Sequence, residues 1–221
     1  MIGAQRDLPF SANVVAVEVG DGPWRLTRQQ WGGSLLEDST LDGAVKLLSF
    51  AHHLWEPAKT HGAESTVQAF TVDLDAALGA TVIRGRAATE AGVTLATARF
   101  VVSGGRAMKS AENFAMLEEL ADLLGGKVGC SRAVTNNGWR NHADQVGQTG
   151  TRIAPECYLA CGISGATQHW VGAMGSKNVI AVNTDKEANL VTKSGHAVIA
   201  DLFEIVPAII AEVKNRKGLT Q

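Results

Sequence analysis

The chain has 221 residues, of which 45% are hydrophobic and 19% charged, with a net charge of −2. That is ample apolar material for a core, and the balance lacks the basic surplus that nucleic acid or an anionic membrane surface would need in a partner. No apolar run reaches the ~20 residues of a membrane span, and the N-terminus lacks a basic-then-apolar leader, so a cytoplasmic or organelle-matrix protein without membrane insertion is expected.

Residues 1–92 read as a small mixed α/β region. Asn13 to Val19 is a predicted strand, Gly20 to Pro23 a turn, and Trp24 to Gln30 a returning hairpin partner. From Leu41 to Trp55, Leu41, Val45, Leu48, His52 and Trp55 recur at helical spacing, which predicts an amphipathic helix stopped before Pro57. His52 and His53 are adjacent and would diverge by about 100° on that helix, which does not suit one shared metal. Thr66 to Leu74 and Ala80 to Arg84 alternate as strands do.

From residue 93 to 221 the pattern changes to repeated strand–turn–helix units. Ala98 to Val102 is a strand and Ser103 to Arg106 a tight turn. A helix follows from Ser110, with Glu112 in its first turn, and ends at Gly125-Gly126. Lys127 to Cys130 is a second strand, tipped by Ser131-Arg132. Tyr158 to Ile163, Asn178 to Val182 and Ala197 to Ala200 are further buried strands, the last two tipped by Asn183 and Asp201. A final helix runs from about Leu202 to Lys214, with Pro207 placed in its first turn. Cys130, Cys157 and Cys161 fall in or near strands, too few for a disulfide framework and without the partners of a zinc site, so they read as small buried residues.

Two glycine-broken turns stand out between these strands. One is Gln145-Val146-Gly147-Gln148-Thr149-Gly150; the other is Gly162-Ile163-Ser164-Gly165-Ala166-Thr167-Gln168-His169. Either alone reads equally well as a polar loop. A strand ending in Gly-Ile-Ser-Gly before a helix nevertheless leaves free N–H groups where an anion can sit. Apolar strands alternating with helices imply a parallel Rossmann-like sheet with helices on both faces. Ligands of such sheets bind beyond the carboxyl ends of the strands. That rule selects Gly104 to Arg106, Ser131, Arg132, Ser164 to His169, Asn183 and Asp201.

Val101-Val-Ser-Gly-Gly-Arg106, Ser131-Arg132, Gln145-Val-Gly-Gln-Thr-Gly150, Gly162-Ile-Ser-Gly-Ala166, Gln168-His169, Ala181-Val-Asn183 and Ala200-Asp-Leu-Phe203 together resemble the C-terminal FAD-binding domain of the electron transfer flavoprotein alpha subunit. The likeness covers about Gly92 to Val213, with only a loose one ahead of it at Pro9 to Val17. Members of that family carry a complete α/β domain in front, for which the first 92 residues are too short.

The resemblance implies FAD as cofactor. It places Arg106 at the pyrophosphate or adenosine side, and Ser131 and Arg132 near the isoalloxazine. Gln145, Val146, Gly147, Gln148 and Thr149 would wrap the ribityl and ring edge, with the Thr149 hydroxyl near N5. Ser164, Gly165, Ala166, Thr167, Gln168 and His169 would carry phosphate contacts and, at His169, a donor to O2. Asn183, Asp201 and Leu202 would hold the adenosine end. Reduction puts negative charge on the N1–C2=O2 edge of a flavin, which a fixed cation and an imidazole donor would stabilise. The implied partners are a beta-type subunit and a flavin dehydrogenase of the acyl-CoA dehydrogenase type as electron donor, in a bacterial cytoplasm or a mitochondrial matrix. A stand-alone flavin-dependent oxidoreductase with a pocket made by residues 1–92 is the alternative. A third reading, an adenine-nucleotide domain that has lost the flavin, sits poorly with Arg132, Thr149 and His169, which would touch the ring.

Overall fold

The computed structural model describes residues 2–55, 58, 66–72 and 92–219. Residues 1–54 and 93–221 form one compact unit, and residues 55–92 a second. In the second unit, residues 66–72 carry no regular secondary structure and are exposed. The strand predicted from Thr66 does not form over that stretch, because alternation makes a strand only where a neighbour accepts its hydrogen bonds. The strand predicted for Ala80 to Arg84 lies outside the described residues.

The larger unit begins with a short helix, α1 (Ile2–Arg6), and a four-stranded sheet. Its strands are β1 (Phe10–Glu18), β2 (Trp24–Gln30), β3 (Leu35–Leu41) and β4 (Leu47–Phe50), in the order β3-β2-β1-β4. The predicted hairpin is present: β1 and β2 pair antiparallel, with Val17 opposite Leu26 and Glu18 opposite Arg25. Asn13 adopts φ 56°; the ladder with β4 shifts register across it, between Ser11 and Val14, and the ladder with β2 shifts just beyond it, between Val14 and Ala16; asparagine tolerates that conformation better than most residues. Val14, Leu26 and Leu41 are the buried centre of this sheet.

The helix predicted from Leu41 to Trp55 does not exist. Leu41 ends β3, Asp42 and Gly43 turn the chain, and Leu47 to Phe50 pair parallel with the open edge of β1. The Asp42 carboxylate accepts from the Gly43 N–H at 2.8 Å, and Lys46 Nζ donates to the Gly43 carbonyl at 2.6 Å. A turn closed by side chains competes directly with helical bonding, and the unpaired edge of β1 offers the alternative ladder.

The second sheet is the predicted one. Its strands are β5 (Phe100–Gly104), β6 (Lys127–Cys130), β7 (Cys157–Cys161), β8 (Asn178–Asn183) and β9 (His196–Ile199). They are all parallel, in the order β6-β5-β7-β8-β9. The chain turns predicted after Val102 come later, since β5 runs on through Gly104 before a single 3-10 turn at Arg106–Met108.

Side chains alternate between two cores. Val102, Val128, Cys130, Leu159, Cys161 and Val182 meet α2 (Ala115–Leu124) and α6 (Leu202–Arg216) on one face. Val101, Tyr158, Ala160 and Val179 meet Ala173 of α4 (Thr167–Ala173) and Leu190 of α5 (Asn189–Lys193) on the other. Helices therefore cover both faces, as the apolar strands require. Pro207 sits in the second turn of α6, not the first, so it removes one helical hydrogen bond that a first-turn position would have spared.

No helix among the described residues is long and apolar enough to cross a membrane.

Candidate functional site

Strand order reverses between β5 and β7: the chain first builds outward from β5 to β6, then crosses back to add β7, β8 and β9. At that point the loops leaving neighbouring strands part and open a crevice. A cavity of about 470 Å³ lies there, at the carboxyl ends of β5 to β8.

Of the seventeen residues that the resemblance assigns to the cofactor, fourteen line it: Arg106, Ser131, Arg132, Gln145, Val146, Gly147, Gln148, Thr149, Ser164, Gly165, Ala166, Gln168, His169 and Asn183. Three do not. Thr167 is exposed on the first turn of α4. Asp201 caps α6, its carboxylate accepting from the Phe203 N–H at 2.9 Å. Leu202 is buried in the α2–α6 core. The lining also contains Ala107, Ala133, Gly162, Ile163, Asp185 and Ala188, to which sequence reading gave no cofactor role, although Gly162 and Ile163 stand in the glycine-broken turn it picked out. Asp185 was within reach of that reading, two residues past the selected strand tip Asn183, and the other five carry no polar side chain to draw notice.

The walls are held by backbone. Gly105 N–H donates to the Cys161 carbonyl at 2.9 Å, Ser131 N–H to Gly104 at 3.1 Å, and Gly162 N–H to Val182 at 2.8 Å. These bonds tie successive strand tips together just below the cavity floor. The 145–151 loop is fastened in the same way, by Val146 N–H to Cys130 at 2.9 Å and Gln148 N–H to Gln168 at 2.7 Å. Before that loop, Arg140 pairs with Glu118 of α2 at 2.6 Å and with Asp144 at 3.0 Å.

Gln145 is buried and both ends of its amide are used. Oε1 accepts from Thr135 Oγ1 at 2.8 Å and Nε2 donates to Thr149 Oγ1 at 3.0 Å. Gln145 is thus a brace within the wall. Because Thr149 Oγ1 accepts from it, the Thr149 proton remains to be donated elsewhere. Asn183 likewise holds two loops, donating to the Ile163 carbonyl at 3.2 Å and accepting from Asp185 N–H at 3.1 Å. Burial pushes the Cys130 and Cys161 thiols up to about 12, so neither offers a thiolate to the cavity.

Arg106 and Arg132 are exposed at the rim, and neither has an ion-pair partner among the described residues. His169 is 7% exposed, and its Nδ1 is a buried polar atom without a partner of normal hydrogen-bond geometry among the described residues. Two unmatched cations and one unmatched ring nitrogen around a crevice suit a ligand that is both anionic and rich in acceptors, as FAD is.

Desolvation lowers the His169 pKa from 6.5 to about 4, with the Val146 backbone pulling weakly the other way. The ring is therefore neutral at pH 7. Between those two values the unfolded chain binds more protons than the folded one. Stability is then full above about pH 6.5 and falls as pH drops, by at most ~1.4 kcal/mol per pH unit and roughly 3 kcal/mol in all by pH 4. Urea denaturation of wild type and His169→Gln at pH 7, 6, 5 and 4 should show the extra pH dependence in wild type alone. Parallel curves for the two would refute it.

The other histidines singled out lie elsewhere. His53 Nε2 is 3.0 Å from the Arg152 carbonyl oxygen, and both His52 and His53 border a small recess of about 180 Å³ with no acid among its lining residues.

Residues 94–174 match the family model of the electron transfer flavoprotein FAD-binding domain. The alpha subunit of the electron transfer flavoprotein of Syntrophomonas wolfei is 38% identical over 208 residues, 94% of this chain and 66% of that protein. A probable mitochondrial alpha subunit from Caenorhabditis elegans is 37% identical over 95% of this chain and 62% of its own length. The mitochondrial alpha subunit of Dictyostelium discoideum is 51% identical over 123 residues, 56% of this chain and 35% of that protein. The chain thus spans just under two thirds of the first two relatives. Alignments over 94% and 95% of the chain also reach well ahead of Gly92, so the likeness is not confined to the second sheet and the loose match at Pro9 to Val17. The chain belongs to the electron transfer flavoprotein alpha-subunit family, and the cavity above lies in its FAD-binding domain.

Proposed function

We propose that this chain is an FAD-carrying electron-transfer subunit of the alpha type. In this reading it pairs with a beta-type subunit, takes electrons from a flavin dehydrogenase of the acyl-CoA dehydrogenase type and passes them to a further redox partner, in a bacterial cytoplasm or a mitochondrial matrix. The observation that carries the reading is the meeting, in one crevice, of the unpaired Arg132 guanidinium, the Thr149 hydroxyl with its proton free, and the unpartnered ring nitrogen of His169.

FAD supplies the electron chemistry when bound. The protein's share is binding and electrostatics. The Arg132 guanidinium would offset negative charge that develops on the ring. Thr149 donates one hydrogen bond at the ring edge, and Ser131 and Gln145 to Gln148 fix that edge in place. Arg106 and the run from Ser164 to Gln168, at the uncapped start of α4, face the phosphates. Asn183 belongs to the adenosine end; Asp201 and Leu202 serve it only indirectly, Asp201 by capping α6 and Leu202 by packing against Gly162 of the cavity lining. Residues 93–221 act as the cofactor domain and residues 1–92 as a preceding region. Exposed Trp31, Leu35 and Leu36 give that region an apolar surface suited to a protein partner.

The visible absorption spectrum of the purified chain, with FAD added and any bound flavin then released by denaturation, tests this directly. About one FAD per chain is expected, and Arg132→Ala should retain FAD while lowering its midpoint potential by ~60 mV, a tenfold shift for one electron. A chain that stays colourless with FAD, both alone and with a beta-type subunit, would sink the reading.

A further inference from the structure

Tyr158 of β7 is fully buried, and its phenolic oxygen lies 2.7 Å from His169 Nε2. It is eleven residues from His169 and plays no part in the cavity lining. A neutral imidazole has one N–H and one bare nitrogen, and the partner of one nitrogen decides the state of the other. His169 presents Nδ1 as its unpartnered atom. Which group Nδ1 offers, a donor or a lone pair, therefore depends on which way the proton lies in the contact between Tyr158 and Nε2.

The surroundings decide that direction. Burial keeps the Tyr158 phenol protonated, well above its usual range. Ser103 lies on the same face of the neighbouring strand, diagonal to Tyr158, since Val101 pairs with Tyr158 and Ser103 with Ala160. Its buried hydroxyl has no hydrogen-bond partner of normal geometry among the described residues, and its pull on the phenol, opposite to that of burial, is the one a proton turned toward the phenol oxygen would exert. If Ser103 donates toward Tyr158 and Tyr158 donates to Nε2, every inner proton has an acceptor. If His169 donated to Tyr158 instead, the phenol proton would turn to Ser103 and the Ser103 proton would have nowhere to go. The first arrangement leaves one unmatched group, an N–H at Nδ1. The Val146 backbone also favours a proton on this ring without forming a hydrogen bond of normal geometry.

We propose that Tyr158 is a positioning residue: by donating its phenolic proton to Nε2 it holds His169 as the Nδ1–H tautomer, so that the ring offers a hydrogen-bond donor at the cavity. Resting on the FAD reading above, this assigns Tyr158 the task of making His169 attractive, instead of repulsive, to the electron-rich edge of a reduced flavin. A bare Nδ1 would face that edge with a lone pair.

Nitrogen-15 NMR of histidine-labelled, FAD-free protein reads the tautomer without any cofactor. The His169 signals are identified by their loss in His169→Gln. Wild type should show a protonated Nδ1 and a bare Nε2, and Tyr158→Phe, which removes only the hydroxyl, should lose that preference. In FAD-loaded protein, Tyr158→Phe should shift the reduction equilibrium about tenfold toward oxidised flavin, ~59 mV for one electron. A purely structural tyrosine would alter melting and leave the tautomer alone. A wild-type ring protonated at Nε2 would overturn the proposal, even if Tyr158→Phe did not fold. So would a folded Tyr158→Phe with an unchanged tautomer. Failure of the chain to bind FAD would count against the functional reading, while the tautomer would still decide this one.

Discussion

Gly105→Ala should destabilise the protein by more than about 4 kcal/mol. A Cβ at this position would lie 2.0 Å from the Gly162 carbonyl oxygen and 2.9 Å from Ile163 Cα. Both obstacles are backbone, so no rotamer change relieves them. Nor is either segment free to shift. Gly105 N–H is bonded to Cys161, and Gly162 N–H to Val182, so the two strand tips are locked at the switch point. Accommodating the methyl would mean parting β5 from β7 at the centre of the sheet. Ordinary overpacking costs 1–3 kcal/mol, and larger values mark a site that cannot yield. Since a domain has only about 5–15 kcal/mol of stability in total, the variant should melt far below wild type or not accumulate. Gly22→Ala, where nothing lies within 4 Å, is the matched control and should stay near wild type. Thermal and urea unfolding of both would check the difference; a Gly105→Ala protein within 1 kcal/mol of wild type would show that the strand tips separate more easily than their bonds suggest.

Gly172→Ala should act on the cofactor more than on the fold. Its Cβ would stand 2.3 Å from Gly147 Cα and 2.4 Å from Gly147 N. Gly172 belongs to α4, and Gly147 lies in the wall of the cavity. Here the obstacle is a loop at the surface and not two central strands: Gln148 and Thr149 beyond it face solvent, so it can yield at the expense of the Gln148 N–H bond to Gln168. The relief is a displacement of the 145–150 loop by about an ångström, which carries the Thr149 hydroxyl and the Gln145 brace with it. Misplacing binding groups by that much costs on the order of a hundredfold. FAD affinity should therefore fall about a hundredfold, equivalent to ~2.7 kcal/mol, in a protein that still unfolds cooperatively. Titration of FAD-free protein with FAD, followed by flavin fluorescence, measures this. Wild-type affinity in a folded Gly172→Ala protein would mean that the loop does not set the ligand's position.

The parallel sheet was legible because its strands are short apolar runs ending in polar residues, a pattern that burial on both faces imposes. Lys127 to Cys130 forms over the predicted bounds, and Asn178 and His196 begin strands within a residue of expectation. Leu41 to Trp55 was misread because a run of spaced apolar residues fits a helix as well as a turn and a short strand. What decided between them, the open edge of β1, is a tertiary fact. The cavity was legible wherever a polar residue tips a strand. It was not legible at Ala107, Ala133 or Ala188, whose contribution is backbone and shape. Nor could the sequence pair Tyr158 with His169, since one lies on a strand and the other on the helix after it, and only the crossover brings them into contact.

The two sheets also differ in when they can form. β1, β2 and β3 follow one another as a meander, so each pairing closes a short loop. In the second sheet every pair is parallel, and β5 cannot meet β7 until β6, α2 and the 145–151 loop have been laid down between them. Loop closure of that size delays folding. The crevice exists only after this late pairing, so a newly made chain has no partial cofactor site to offer. The cofactor then meets a finished pocket and favours it by mass action, and the flavin stabilises the end of folding without guiding its course.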